Sequence, residues 1–242
     1  MKPLLRYKWL RIAYFCMTLI IGNILIIYFF DIQVSRMARW LSTLLFLLFF
    51  FHHGGLRNRL IFFVFILFLL KDGLIINYED SFYKTLAFII SNIAYILLGL
   101  IPLKKVKIIA KNPVLIVFAI AMIGLNAFNI YYLSDVIFES LDNQFQLGLF
   151  FLQGVLLIFL GLIAFAYNDR YDGGTPLLFL YFSFCLILCD LSGLGSYFFK
   201  WEVAYFPERI FYLLSLALLV TFTITKNDER QERLIFLAKK EL

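Results

Sequence analysis

PLLFLYFSFCLILCDLSGLGSYFF, residues 176–199, is an apolar run of membrane-spanning length that contains a single carboxylate, Asp190. A helix needs about 20 apolar residues to cross the hydrocarbon core of a bilayer. The whole 242-residue chain shares this character, since 63% of it is hydrophobic, 16% is charged and 30 residues are Phe. A soluble domain is about half apolar and about a quarter charged. The composition therefore excludes a soluble or disordered chain and predicts an all-α, polytopic membrane helix bundle.

Eight such runs follow one another along the chain, joined by short loops. We predict eight transmembrane helices, over residues 12–30, 38–51, 60–76, 82–103, 113–133, 147–167, 176–199 and 205–225. Residues 1–225 then form one transmembrane domain. Residues 226–242 form a short charged tail, which we expect to fold as a separate interfacial helix.

Lysine and arginine predict the orientation of these helices. Sixteen of the 22 basic residues fall on the side that holds both termini. The other side has six, namely Arg36, Arg39, Lys71, Lys84, Lys200 and Arg209. Because cytoplasmic loops collect basic residues, we predict cytoplasmic termini in a bacterial cytoplasmic membrane. The same bias explains the net charge of +6, so we expect membrane lipids as partners and no nucleic acid.

Polar side chains within the predicted spans fall mainly on the side opposite the termini. Since an isolated polar group in lipid is costly, we predict that they line one outward-facing pocket. Asp190 is the strongest candidate, about 21 Å along its helix from Pro176, with a buried ion pair to Arg209 as the structural alternative. The further candidates are Asp72, Asn92, Tyr95, Asn126, Asn129, Gln153, Glu208 and Arg209. For Asn and Gln, a role in joining helices is an equal alternative.

Several chemistries are disfavoured by the residues present. The only two histidines, His52 and His53, are adjacent, so on a helix they point about 100° apart and do not form a zinc site. The three cysteines lie in apolar runs, so we predict that they are buried hydrophobic side chains. We expect no metal and no cofactor.

Four stretches resemble the YhhN-like lysoplasmalogenase membrane family. They are FLLKDGLII (68–76), AFIISNIAYI (87–96), LYFSFCLILCDLSGLGSYF (180–198) and YFPERIFYLLSLALL (205–219). The family has eight spans, cytoplasmic termini and acidic residues in its third and seventh spans, matched here by Asp72 and Asp190. Asn92 and Cys189 stand where the family usually has His and Ser.

The resemblance implies hydrolysis of the vinyl-ether bond of a lysophospholipid, a lysoplasmalogen, with release of a fatty aldehyde. In that reaction Asp190, the more buried acid, donates the proton, and Asp72, nearer water, stays ionised as the second catalytic carboxylate. Arg209 or Lys71 holds the lipid phosphate. The alternative is a non-enzymatic sensor or transporter that binds a lipid or another amphiphile in the same pocket, and the departures from the family pattern favour it.

Overall fold

The structure of the protein, a computed structural model, describes residues 3–53, 55, 58–103, 141–171 and 173–240, with 113, 116, 117, 120, 121 and 124 between them. Within these residues every regular element is a helix. The seven long helices are α1 (Pro3–Phe29), α2 (Ile32–His52), α3 (Arg59–Ile75), α4 (Ser81–Leu103), α5 (Gln144–Arg170), α6 (Gly174–Tyr197) and α7 (Tyr205–Lys240). A short 3-10 helix, Glu202–Ala204, precedes α7.

Six segments of the described chain are long and apolar enough to cross a membrane. They are Lys8–Phe29, Ile32–His52, Ser81–Leu103, Gln144–Arg170, Gly174–Tyr197 and Glu202–Glu229. The 17-residue α3 is about 26 Å long, at the lower limit for a span, and it carries Lys71 and Asp72. The fifth predicted span, 113–133, lies outside the described residues apart from six positions. The predicted number of eight spans therefore stays a prediction.

Two predicted boundaries differ from the helices found. The second span was expected to begin at Ala38, but α2 begins at Ile32, because Arg36 is buried and paired with Glu79 rather than exposed in a loop. The charged tail was expected as a separate helix, but α7 continues without a break from Tyr205 to Lys240.

The tail and the N-terminal helix are tied together at one end of the bundle. Lys8 pairs with Asp228 over 2.9 Å, and the Thr175 hydroxyl donates to Glu229 over 2.6 Å. We call this the lower end. The upper end is the opposite one, where residues 30–31, 76–80 and 198–204 connect successive helices.

The start of α5 is fixed against the start of α4 at the upper end. The Asn143 side chain accepts a hydrogen bond from the Gln146 amide, and the Gln146 side chain accepts one from the Asp142 amide. This pattern is similar to a capping box, except that the Gln146 side chain bonds the residue before the N-cap rather than the N-cap residue itself. The side-chain nitrogen of Gln146, Nε2, also donates to the hydroxyl groups of Ser81 and Thr85 in α4. Consequently α4 and α5 start side by side and run in the same direction.

The apolar core receives side chains from all seven long helices of the described residues, with the most extensive packing between α6 and α7. Gly161 permits a close approach of α5 to α6, since a Cβ there would lie 3.0 Å from Ile187 Cδ1. Pro176 and Pro207 lie in the first turns of α6 and α7, where the missing amide hydrogen costs no helical hydrogen bond.

Candidate functional site

Asp72 of α3 is enclosed by side chains from α2 and α7. Arg39 donates from Nε to its Oδ1 over 2.9 Å. Its Oδ2 accepts hydrogen bonds from the Thr43 hydroxyl, 2.6 Å away, and from the Tyr212 hydroxyl. With 0% of its surface exposed, Asp72 has both carboxylate oxygens occupied by protein partners.

Arg39 also binds a second buried carboxylate. Its Nη1 donates to Oε1 of Glu208, and its guanidinium carbon lies 4.0 Å from the centroid of the Tyr212 ring. Charge-assisted hydrogen bonds of this kind are about twice as strong as neutral ones. One guanidinium therefore links α2 to both α3 and α7.

Arg209, the neighbour of Glu208, is bound mainly by α1 and α2. Its Nη1 donates to Asn23 Oδ1 over 2.7 Å and to the Ser35 carbonyl over 2.8 Å. Its Nε lies 3.6 Å from Glu208 Oε2. At 1% exposure, Arg209 is a structural tie between α7 and the first two helices.

Asp190 of α6 keeps one oxygen without a partner. Its Oδ2 accepts hydrogen bonds from the Tyr95 hydroxyl, 2.9 Å away, and from Gln153 Nε2, 2.8 Å away. Its Oδ1 accepts none from the residues that the structure describes. The carboxyl group is thus oriented by α4 and α5 but not fully satisfied by them.

Lys71 places a buried ammonium group near these acids. The side chain is 4% exposed, and its Nζ lies 5.4 and 5.2 Å from the ring centroids of Phe68 and Tyr212. Cation–π contacts replace part of the lost hydration. Within the described part of the chain Lys71 makes no ion pair and no hydrogen bond, so its three donors are available.

A cavity of about 100 Å³, which we call the inner cavity, lies among these groups. Its charged lining residues are Asp190, Glu208, Lys71 and Arg39. Gln153 Oε1 and Glu208 Oε2 are buried here, and neither has a hydrogen-bond partner in the described part of the chain. A buried water needs only about 10–15 Å³ and two to four polar partners. The inner cavity therefore has the size and polarity to hold water or a small polar group.

One wall of the inner cavity is apolar. Phe88 of α4, Phe150 of α5 and Phe198, at the end of α6, line it. Their ring centroids are 6.3 Å apart for the first pair and 5.3 Å apart for the second. A ligand in the inner cavity would thus contact ionisable groups on one side and aromatic rings on the other.

A larger cavity of about 970 Å³, the vestibule, lies at the upper end. Tyr78 and Tyr197 line both cavities, and their ring centroids are 5.3 Å apart. The charged residues of the vestibule are Arg36, Lys84, Lys200, Glu79 and Glu202. The vestibule and the inner cavity are therefore neighbours that share two tyrosine side chains.

Ion pairs shape the rim of the vestibule. Arg36 donates to both oxygens of Glu79, at 2.8 and 2.9 Å, and Lys84 pairs with Asp142 over 3.0 Å. The hydrogen bond from Lys84 lowers the pKa of Asp142, whereas burial raises the pKa of Tyr78. The Nε of Arg36 is buried without a partner, so this guanidinium retains a free donor.

The structure brings together only some of the predicted site residues. Gln153, Asp190 and Glu208 line the inner cavity, with Tyr95 bound to Asp190 beside them. Asn92 donates to the Leu149 carbonyl over 3.1 Å and so joins α4 to α5. Asn126 and Asn129 lie outside the described residues.

One expectation about the carboxylates is wrong. Asp72 is not nearer to water than Asp190, because Arg39, Thr43 and Tyr212 enclose it, whereas Asp190 is partly exposed. The structural alternative for Asp190, an ion pair with Arg209, is not found, since Arg209 binds Asn23 and Ser35 instead. Arg209 and Asp72 line neither of the two cavities.

Sequence reasoning overlooked Arg39, Thr43 and Tyr212. Arg39 lies at the start of the predicted span 38–51 and was counted only among the basic residues of the side opposite the termini. A signal was nevertheless present, since Arg36 and Arg39 are three residues apart and so share a helix face. Two arginines on one face beside an apolar run indicate buried partners for acids such as Asp72.

In the part of the chain that the structure describes, every regular element is helical and six apolar helices have membrane-spanning length. A cluster of ionisable residues is buried among these helices, as in multi-pass membrane proteins. The chain matches no protein-family model, no curated protein and no solved structure. Its function is therefore argued from the site itself.

Proposed function

We propose that the protein is an eight-span membrane hydrolase that cleaves the vinyl-ether bond of a single-chain phospholipid, as lysoplasmalogenases do. The observation that carries this proposal is the setting of Asp190. One of its oxygens is held by Tyr95 and Gln153, the other has no described partner, and the group lines a polar cavity with an aromatic wall.

The two cavities suit the two ends of an amphiphile. A phosphate group in the vestibule would meet Arg36, Lys84 and Lys200, and guanidinium and ammonium groups are the usual phosphate partners. The alkenyl chain would pass along Phe88, Phe150 and Phe198. The bond between headgroup and chain would then lie in the inner cavity, beside Asp190.

A protonated Asp190 would begin the reaction. Vinyl ethers are cleaved when an acid delivers a proton to the carbon of the double bond, which leaves an oxocarbenium ion that water attacks. General acid catalysis of this kind contributes about 10²–10⁴-fold to a rate. The hydrogen bonds from Tyr95 and Gln153 orient the carboxyl group toward a bound double bond.

The proposal includes a topology. Both termini are cytoplasmic, and the vestibule opens toward the opposite face, where a single-chain lipid enters from the outer leaflet. The direction of the helices supports this. Because α4 and α5 point the same way, the connection between them starts and finishes at opposite ends of the bundle, as eight spans require.

A second function, lipid binding without catalysis, is favoured by one specific observation. Asp72, which corresponds to the first acid of the lysoplasmalogenase pattern, is fully buried and lines neither cavity. A bundle with one accessible aspartate could bind an amphiphile and signal or transport it. The two functions differ in a measurable product, the fatty aldehyde.

The test is aldehyde release from a vinyl-ether lysophospholipid by the purified protein between pH 5 and 8. We expect turnover by the wild type and a loss of at least about 100-fold in D190N, since Asn keeps the shape but has no acidic proton. The control is D31N, because Asp31 is exposed and its side chain makes no capping hydrogen bond. No aldehyde from the wild type, together with saturable lipid binding, would leave only the second function.

A further inference from the structure

Glu208 lies at the point where the buried charges meet the inner cavity. It is 1% exposed and lines that cavity with Asp190. Arg39 binds its Oε1, while its Oε2 has no hydrogen-bond partner among the described residues and lies 3.6 Å from Arg209 Nε. Two guanidinium groups thus compensate the charge of this carboxylate without occupying its second oxygen.

Asp72 offers no such oxygen. Arg39 takes its Oδ1, and Thr43 and Tyr212 take its Oδ2. It is 0% exposed and lines neither cavity, so water reaches it only if these side chains separate, and a carboxylate left without its partners in the interior is costly. Asp72 and Glu208 share Arg39, but only Glu208 faces the place where a substrate would react.

We propose that Glu208, not Asp72, is the second catalytic carboxylate, the base that takes a proton from the attacking water. This assignment rests on the proposed vinyl-ether hydrolysis. Asp72 is then a positioning residue, because it holds Arg39 in the orientation that fixes Glu208 Oε1.

The proton transfers balance with these two acids. Asp190 gives its proton to the double-bond carbon of the vinyl ether that is not bonded to oxygen, which forms the oxocarbenium ion. Water attacks that ion and passes a proton to Glu208, giving a hemiacetal. Asp190 then takes the hemiacetal hydroxyl proton while Glu208 protonates the departing glycerol oxygen. Aldehyde and alcohol leave, one water has been consumed, and both acids return to their starting states.

The other polar groups of the cavity fit this scheme. Gln153 Oε1 is an unpartnered acceptor that can orient the water. Lys71 supplies free donors on the same cavity, where they can stabilise the negative charge that forms on Asp190 after its proton has left. Neither group needs to move between steps.

The test compares E208Q, E208D, D72N and the matched control E229Q, whose glutamate lies at the lower end. For each variant, kcat per folded molecule, KM and the pH dependence of kcat are measured with a vinyl-ether lysophospholipid. We expect E208Q to lose at least about 100-fold in kcat with little change in KM, and to lose the acidic limb of the pH profile. E208D should recover at least tenfold over E208Q, because it restores a carboxylate.

For Asp72, the other candidate for the second catalytic carboxylate, we expect a different result. D72N should lower the yield of folded protein, while kcat per folded molecule falls less than tenfold. If E208Q turns over like E229Q, or if folded D72N loses as much kcat as E208Q, the assignment of Glu208 is overturned. If the wild type releases no aldehyde, the proposed hydrolysis itself fails and the assignment falls with it.

Discussion

At the scale of single residues, Arg39 determines how the buried charges are arranged. Its side chain is 4% exposed and binds one carboxylate from α3 and one from α7. The effective penalty for moving an ion out of water is several kcal/mol. A single arginine that compensates two acids therefore limits how far α2, α3 and α7 can separate at this level.

Replacing Arg39 should destabilise the bundle strongly. R39M leaves Asp72 and Glu208 buried without their shared cation, and breaking a buried pair in this way costs about 3–5 kcal/mol. The measurement is the free energy of unfolding in mixed micelles. The control is K8M, since Lys8 and Asp228 are partly exposed and such pairs contribute about 0–1 kcal/mol. Equal losses of unfolding free energy in R39M and K8M would contradict the stabilising role of Arg39 as the shared partner of two buried acids.

At the scale of elements, the paired starts of α4 and α5 are the best-defined junction at the upper end. Gln146 is 0% exposed and bonds to both helix starts. Close by, Lys84 of α4 reaches Asp142, which precedes α5. The Lys84 side chain is 9% exposed and that of Asp142 is 41% exposed, so the pair is only partly screened by solvent.

This junction should contribute a pH-dependent stability. Because Lys84 lowers the pKa of Asp142 in the folded protein, the pair stabilises the fold above the usual aspartate pKa of about 3.9. The contribution is lost as the pH falls through the lower, folded value. We expect D142N to cost about 0.2–1 kcal/mol at pH 7 and progressively less as the pH falls below the usual aspartate pKa. Thermal unfolding of D142N and the wild type, followed from pH 7 down through pH 3, measures this, and a difference in stability that does not narrow would contradict it.

At the scale of the whole molecule, the upper and lower ends differ more in exposed basic residues than in the basic residues counted from the sequence. Of the six basic residues assigned to the upper side, five are buried: Arg36, Arg39, Lys71, Lys84 and Arg209. Lys200 remains exposed there. At the lower end Arg11, Arg59 and Arg170 are exposed. Since the orientation rule concerns basic residues in loops, the structure strengthens the case for cytoplasmic termini.

Reporter fusions test this topology directly. A fusion after Asp142 and one after Lys200 should both report the side opposite the cytoplasm, and a fusion at the C-terminus should report the cytoplasm. The physical reason is that α7 crosses the bundle from the upper to the lower end between the last two sites. A C-terminal reporter on the same side as the other two would refute the orientation.

The sequence by itself determined the class of the fold and much of its helix layout. Apolar runs are local, so their sum over about 20 residues predicts a spanning helix without knowledge of its neighbours. In the same way Asp190 was recognised as the ionisable residue of an otherwise apolar helix, and it does line a cavity. The burial of residues near the span ends was harder to predict, because a hydropathy sum gives the same value to an arginine in a loop and to a buried arginine.

Only the tertiary structure decided which acids are enclosed and which remain accessible. Arg39 meets Asp72 across 33 residues and Glu208 across 169, and no local pattern contains those pairings. Whether a carboxylate faces a cavity depends on which helix brings the arginine, the threonine and the tyrosine to it. For this reason the sequence ranked Asp72 above Glu208, and the packing of α2 against α3 and α7 reversed that order.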